Sequence, residues 1–122
     1  MAREIETKCI HLEEEENSIN HYGAISYPIY QSATYAHPGV GQSTGYDYSR
    51  LQNPTREHLE KTVASLENGI DALAFSSGMA AITLMMELFK PGDHLIVDAD
   101  LYGGSIRLFN HVSEKTESNF LV

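Results

Sequence analysis

The sequence predicts an α/β fold: the start of a mainly parallel sheet with helices, preceded by an extended N-terminal arm. Three observations predict it. Residues 71–112 alternate strand, turn, helix, strand, turn, helix, with Gly or Ser at each strand-to-helix turn, and parallel strands need such crossovers. Residues 21–49 hold six of the seven tyrosines without a sustained period of 2 or 3.6, so they are read as irregular. The first twenty residues are acidic, with a run from Glu13 to Glu16. They read as a solvated stretch or frayed helix.

The elements follow in order. So much tyrosine is unlike a disordered linker, and long ordered loops are usually functional or held by a partner. Residues 21–49 are therefore read as an arm that packs on something outside this chain. Asn53 caps a helix with Pro54 at its first position, where the missing N–H costs nothing. Leu59, Val63 and Leu66 fall on one face of that helix. Gly69 suits a left-handed stop. Asp71 to Phe75 read as a short buried strand, and Ser76, Ser77 and Gly78 as a tight turn. A second helix from about Met79 to Phe89 is apolar on nearly all sides and is expected to be buried. Lys90, Pro91 and Gly92 end it. His94 to Asp98 form the next buried strand, Tyr102 to Gly104 a turn, and Ser105 to Val112 a third helix. Parallel sheets are normally covered on both faces, and two strands with their helices are only the beginning of such a sheet. About sixty patterned residues make a small core.

Composition narrows the function. The chain has 122 residues and a net charge of −9, with 8 Lys and Arg against 17 Asp and Glu. Phosphate-backbone binding takes clustered cations, so a nucleic-acid surface is disfavoured. No apolar run reaches the roughly 18 residues of a membrane helix, and MAREIETKCI has no signal-peptide core. Cys9 alone makes neither an intrachain disulfide nor a cysteine zinc site. The expectation is a cytoplasmic protein without bound metal. The six histidines form no HExxH pattern.

Three segments can carry chemistry. Ser76-Ser77-Gly78-Met79 joins a strand to a helix. A helix start offers unpaired N–H groups and partial positive charge to an anion, and Ser adds a hydroxyl. Many such turns carry Ser and Gly only for capping, and the P-loop and GxGxxG patterns are absent. Tyr46-Asp47-Tyr48-Ser49-Arg50 offers a phenol and a guanidinium fork that suits phosphate oxygens; an exposed surface turn is the alternative. Asp100-Leu101-Tyr102-Gly103-Gly104 follows the second strand. Ligands of parallel sheets bind at the strands' carboxyl ends, and Tyr102 could stack on a flat ring there or simply pack in a capped turn.

Taken in order, YDYSRLQNPT, SSGMAA and DLYGG resemble the Cys/Met-metabolism family of pyridoxal-phosphate enzymes. That family includes cystathionine γ-synthase, cystathionine γ-lyase, methionine γ-lyase and O-acetylhomoserine sulfhydrylase. ETKCIH and YGAISYPIYQSATYAHPG look like it too, so the resemblance covers about residues 5–115. It implies the N-terminal part of a fold-type I PLP-dependent transferase with pyridoxal 5'-phosphate at a subunit interface. Ser77, Gly78 and Met79 match the family's phosphate-binding turn. Tyr102 matches the tyrosine that stacks on the pyridine ring and assists proton transfer. Tyr48 and Arg50 match the pair that reaches the phosphate in the neighbouring subunit. Residues 1–52 are then an arm contacting that subunit, 53–115 the start of the PLP-binding domain, and 116–122 a tail that departs from the family pattern.

The implied activity is γ-replacement or γ-elimination on homoserine-derived or cystathionine-like substrates, of the cystathionine γ-synthase or γ-lyase type. An O-acetylhomoserine sulfhydrylase type is the alternative. A homo-oligomer of two or four chains is implied. The family's Schiff-base lysine lies downstream, and Lys8, Lys61, Lys90 and Lys115 lack its context. The 122 residues alone are therefore expected to be inactive. A non-catalytic module pairing with full-length subunits, or a small phosphate-binding domain, are the competing readings. In one choice of codons, a single A added after codon 115 turns TESNFLV into NGIEFSR, which looks like the family. A frame change is the reading taken for the tail, with a simple truncation as the alternative.

Overall fold

The computed structural model describes residues 4–10, 24–116 and 119–121. Its elements are α1 (Ile5–Lys8), α2 (Pro54–Leu66), α3 (Gly78–Met86), β1 (His94–Ile96), α4 (Gly103–Thr116) and β2 (Asn119–Leu121). Contacts divide the chain into two compact units, Met1–Ala74 and Phe75–Val122. The glutamate run and Tyr22 lie outside the described residues. Among the described residues, no helix is long and apolar enough to cross a membrane.

In the first unit α2 begins as expected. Asn53 is extended, and its side chain accepts from the Thr55 and Arg56 amides, with Pro54 at the first position. The helix stops one residue earlier than the glycine predicted. Asn68, not Gly69, takes the left-handed conformation, at φ 54°. The Gly69 amide then donates back to the Ala64 carbonyl at 2.8 Å. This is a Schellman closure, and Asn tolerates the left-handed position better than most residues.

The face that α2 buries is also not the apolar stripe. Leu59 and Val63 are exposed, and the buried residues are Pro54 and Ala64. The reason is the arm. The Tyr30 amide donates to Thr55 Oγ1 at 2.8 Å, and Thr55 Oγ1 donates to the Pro28 carbonyl at 3.1 Å. The Tyr27 ring stacks on His58, with centroids 4.0 Å apart and planes 11° apart. Polar groups and rings thus turn α2 toward the arm. Part of the arm, expected to pack on something outside this chain, is thus also held by α2.

The second unit carries a strand–helix–strand pattern. β1 pairs in parallel with β2, His94 opposite Asn119 and Ile96 opposite Leu121, with α4 between them in sequence. β2 falls within the segment 116–122. The expected strand at Asp71 to Phe75 is not formed. A strand needs a neighbour to pair with, and this stretch joins no ladder among the described residues; the Ala74 amide donates to Glu60 Oε1 at 2.8 Å instead. The second strand is shorter than expected, ending at Ile96, and the third helix is longer. α3 packs on α4, and Met86, Ser105 and Phe109 are the buried residues. α3 is not buried all round as predicted. Leu84, Met85, Leu88 and Phe89 are exposed, because α4 covers only one side of the helix and its flanking turn.

Candidate functional site

The sequence-predicted residues form two groups, one in each unit. In the second unit, Ser77 is the N-cap of α3. Its backbone is extended, and its Oγ accepts from the Ala80 amide at 3.1 Å. The Ser77 carbonyl accepts from Ala81 at 3.2 Å. The amides of Gly78 and Met79 meet no acceptor among the described residues. That is the expected condition of a helix's first turn, whose donors await an anion, water or a cap. Among the described residues, a Cβ on Gly78 would meet nothing within 4 Å, so the space beside Gly78 is open.

Tyr102 stands at the start of α4, where its carbonyl accepts from Ser105 at 2.8 Å and Ile106 at 3.3 Å. Tyr102 is 72% exposed, so its ring is open to stacking. Gly104 joins the two helix starts. A Cβ there would lie 2.5 Å from Tyr102 Cε1 and 3.2 Å from Met79 Sδ. Ser105 Oγ lies 3.9 Å from the same sulfur. Met79 and Tyr102, 23 residues apart in number, thus converge over a glycine that leaves them room. Ser77, Gly78, Met79 and Tyr102 are one neighbourhood carrying two helix N-termini, whose partial positive charges favour an anion.

In the first unit, Tyr48 makes an isolated antiparallel bridge with Thr34, flanked by Ser49 N–H to Ala33 and Tyr35 N–H to Asp47. The Tyr48 carbonyl accepts from both Leu51 and Gln52 at 2.9 Å, which folds the chain into a tight turn around Arg50. The Arg50 guanidinium carbon lies 4.8 Å from the Tyr48 ring centroid, a cation–π pair. Both side chains are exposed, so the pair is displayed rather than packed away.

Several supporting residues escaped the sequence reading. Asn53 Nδ2 lies 3.1 Å from the Tyr30 carbonyl, 3.2 Å from Tyr35 Oη and 2.9 Å from Ser49 Oγ. Asn53 was singled out only as a cap. Arg56 donates to the Ser49 and Leu51 carbonyls, and Glu60 at i+4 was the signal that could have drawn attention to it. Tyr46 donates to Glu57, which also pairs with Lys61 at 2.6 Å. Burial first, and then the bond to Glu57, pushes the Tyr46 phenol well above its ordinary range. The Lys61 and Tyr46 bonds hold the Glu57 carboxyl below its own. An open hollow of about 480 Å³ beside them is lined by Thr44, Tyr46, Asn53, Arg56, Glu60 and Leu73, among others. Among the described residues, no cluster of His, Cys, Asp and Glu is placed to hold a metal.

The chain is similar to known proteins over nearly its whole length. The model of the Cys/Met metabolism PLP-dependent enzyme family matches residues 6–121. Over 94% of the chain the sequence is 50% identical to a cystathionine gamma-synthase/O-acetylhomoserine (thiol)-lyase of Bacillus subtilis, covering 30% of that protein. A cystathionine beta-lyase of Coxiella burnetii is 46% identical over 92% of the chain and 28% of its own length. The crystal structure of a cystathionine gamma synthase from Xanthomonas oryzae superposes with a TM-score of 0.85 at 35% identity, covering 99% of this chain and 31% of that one. The chain thus spans about 30% of the length of the relatives it matches, and it has the N-terminal region of their fold-type I architecture. Pyridoxal phosphate is the cofactor of that family, and the chain belongs to it: the Cys/Met metabolism PLP-dependent enzymes.

Proposed function

We propose that the chain is the N-terminal third of an enzyme of sulfur amino-acid metabolism that works by γ-replacement or γ-elimination on homoserine-derived or cystathionine-like substrates. The observation that carries this reading is the meeting of the exposed Tyr102 ring and the Met79 side chain at Gly104, at the start of α3, whose first amides are open. It supplies an anion cradle beside a stacking face, which is what a phosphorylated pyridine needs.

Those residues fit pyridoxal phosphate. Gly78 and Met79 would give their amides, and Ser77 its hydroxyl hydrogen, to the phosphate oxygens. The space free of any Cβ at Gly78 lets the backbone approach. The bound cofactor supplies an electron sink for the pair released when the substrate's Cα loses its proton. Tyr102 would hold the ring by stacking, and its phenol would move a proton beside it. Tyr48 and Arg50 would close over the phosphate of a neighbouring chain. Their exposure supports that role, since a displayed Arg fork is free to accept an oxyanion. The lysine that carries the cofactor would come from sequence beyond these 122 residues. A homo-oligomer and a cytoplasmic location belong to the same reading.

The names of the relatives include γ-synthase, γ-lyase, β-lyase and O-acetylhomoserine thiol-lyase activities. They favour carbon–sulfur chemistry without separating γ- from β-elimination, and we place the chain with the γ-type. The test is a chimera in which residues 6–121 replace the matching segment of the Bacillus subtilis relative. The expected result is a folded protein that binds pyridoxal phosphate and releases the products of γ-cleavage from cystathionine. A folded chimera that binds no cofactor, or yields only β-cleavage products, would contradict the proposal.

A further inference from the structure

Arg50 is exposed, yet the backbone that carries it is gripped from behind. Arg56 reaches across from the first turn of α2. Its Nη1 donates to the Ser49 carbonyl at 3.1 Å and its Nη2 to the Leu51 carbonyl at 2.6 Å. The two acceptors flank Arg50 in sequence. The third face of the guanidinium, Nε, lies 3.5 Å from Glu60 Oε1. The same Glu60 oxygen accepts from the Ala74 amide at 2.8 Å, and the Glu60 side chain is only 15% exposed. Asn53 Nδ2 adds a contact at 2.9 Å to Ser49 Oγ.

We infer that Arg56 is a positioning residue for cofactor binding: it holds the Ser49–Leu51 backbone so that Arg50 and Tyr48 are presented in one orientation. Three features carry this. The guanidinium is planar, and all three of its nitrogens are engaged, on two carbonyls and one carboxylate, which fixes its plane against the turn. A lysine could reach only one of the two carbonyls at a time, so the fork itself matters. An exposed arginine on an unheld turn would also pay rotational freedom on binding phosphate, and a fixed turn lowers that cost.

The inference rests on the reading of Arg50 as a phosphate ligand, and a double-mutant cycle separates the two. Pyridoxal phosphate affinity is measured in the full-length chimera, by the visible absorbance of the bound cofactor, for Arg50→Ala, Arg56→Ala, Arg56→Lys and the Arg50→Ala/Arg56→Ala pair. Arg50→Ala is expected to weaken binding by about tenfold to a hundredfold. Arg56→Ala should cost about three- to tenfold, Arg56→Lys somewhat less, and Arg56→Ala should add almost nothing once Arg50 is gone. Losses that multiply in the double variant would overturn the positioning role. If Arg50→Ala has no effect, the phosphate reading of Arg50 fails and the positioning role falls with it.

A second measurement keeps the local claim open to refutation without cofactor. In the 122-residue chain, amide exchange at Leu51 and Gln52 should speed up about tenfold or more in Arg56→Lys, while α4 is unchanged. Unaltered exchange at those two amides would overturn the grip itself.

Discussion

The two units of the chain are built by different means. The first is irregular in backbone and dense in specific polar bonds. Asn53, Thr55 and Arg56, within the first turn of one helix, fix six carbonyls and hydroxyls of the preceding arm. The second is regular in backbone and apolar in side chains. It has a parallel strand pair, two helices and few side-chain bonds, and much of its apolar surface is open. The difference shows two ways of holding the candidate site residues. An arm without a ladder must have its backbone groups satisfied by side chains one at a time. A strand–helix unit satisfies its own backbone and holds its site at the helix ends, where donors are left over.

Variants can break this contrast. The largest effect is expected from Asn53→Ala, which removes the cap of α2 and three arm contacts together. It should destabilise the first unit by about 2–3 kcal/mol, read as faster amide exchange over residues 24–66 with 94–112 unaffected. Exchange that rises equally in both units would erase the distinction between them.

Gly104→Ala comes next. The added Cβ would collide with the Tyr102 ring edge and crowd Met79 Sδ. The ring is the more mobile neighbour, so it should swing away. The unfolding midpoint should move by about 1 kcal/mol or less, while cofactor-dependent turnover in the chimera drops about tenfold. Turnover unchanged by this substitution would detach Tyr102 from the site.

A smaller effect concerns pH and belongs to the first unit alone. Glu57 titrates below its ordinary value of 4.5. The unfolded chain therefore takes up this proton first as pH falls. The stabilisation by the Tyr46–Glu57–Lys61 bonds is full above about 4.5 and is lost as pH drops through the folded value. Tyr46 titrates above its ordinary 10.0, so its share is full below that pH and is lost as the solution becomes more alkaline. Tyrosine near-ultraviolet dichroism should report both limbs. Glu57→Gln should remove the acid limb and lower the plateau.

The smallest effect on stability is expected from Leu88→Glu. Leu88 is 79% exposed, so the substitution should cost about 0.5 kcal/mol or less in this chain. It should nevertheless reduce dye binding to the apolar surface and self-association. A loss of several kcal/mol would mean that Leu88 is covered after all.

The second unit was the more legible in the sequence. Ser77-Gly78 before an apolar run marks the start of a helix, and Lys90-Pro91-Gly92 its end, because both signals are local. The buried strand expected at Asp71 to Phe75, most of it in the first unit, failed for a non-local reason: a short apolar run does not supply a pairing partner. In the first unit the start of α2 was legible from Asn53-Pro54, and the arm's destination was not. The Tyr27–His58 stack and the Thr55 bonds to Pro28 and Tyr30 join residues about thirty apart, which no periodicity encodes. The site residues were reached through the resemblance. Locally, each was as consistent with an ordinary turn as with a ligand.

The most direct test of the account is subunit mixing, because its central claim is that Ser77–Met79 and Tyr102 hold a cofactor in one chain while Tyr48 and Arg50 reach it from the next. Two chimeras, one carrying Arg50→Ala and the other Tyr102→Ala, are unfolded together, reassembled, and assayed at a cofactor concentration at which each alone is impaired. If Arg50 acts on the neighbouring chain's site, each hybrid has one site with both groups intact, and activity returns. If mixed oligomers form and stay impaired, Arg50 and Tyr102 serve the same chain's site and the account is contradicted.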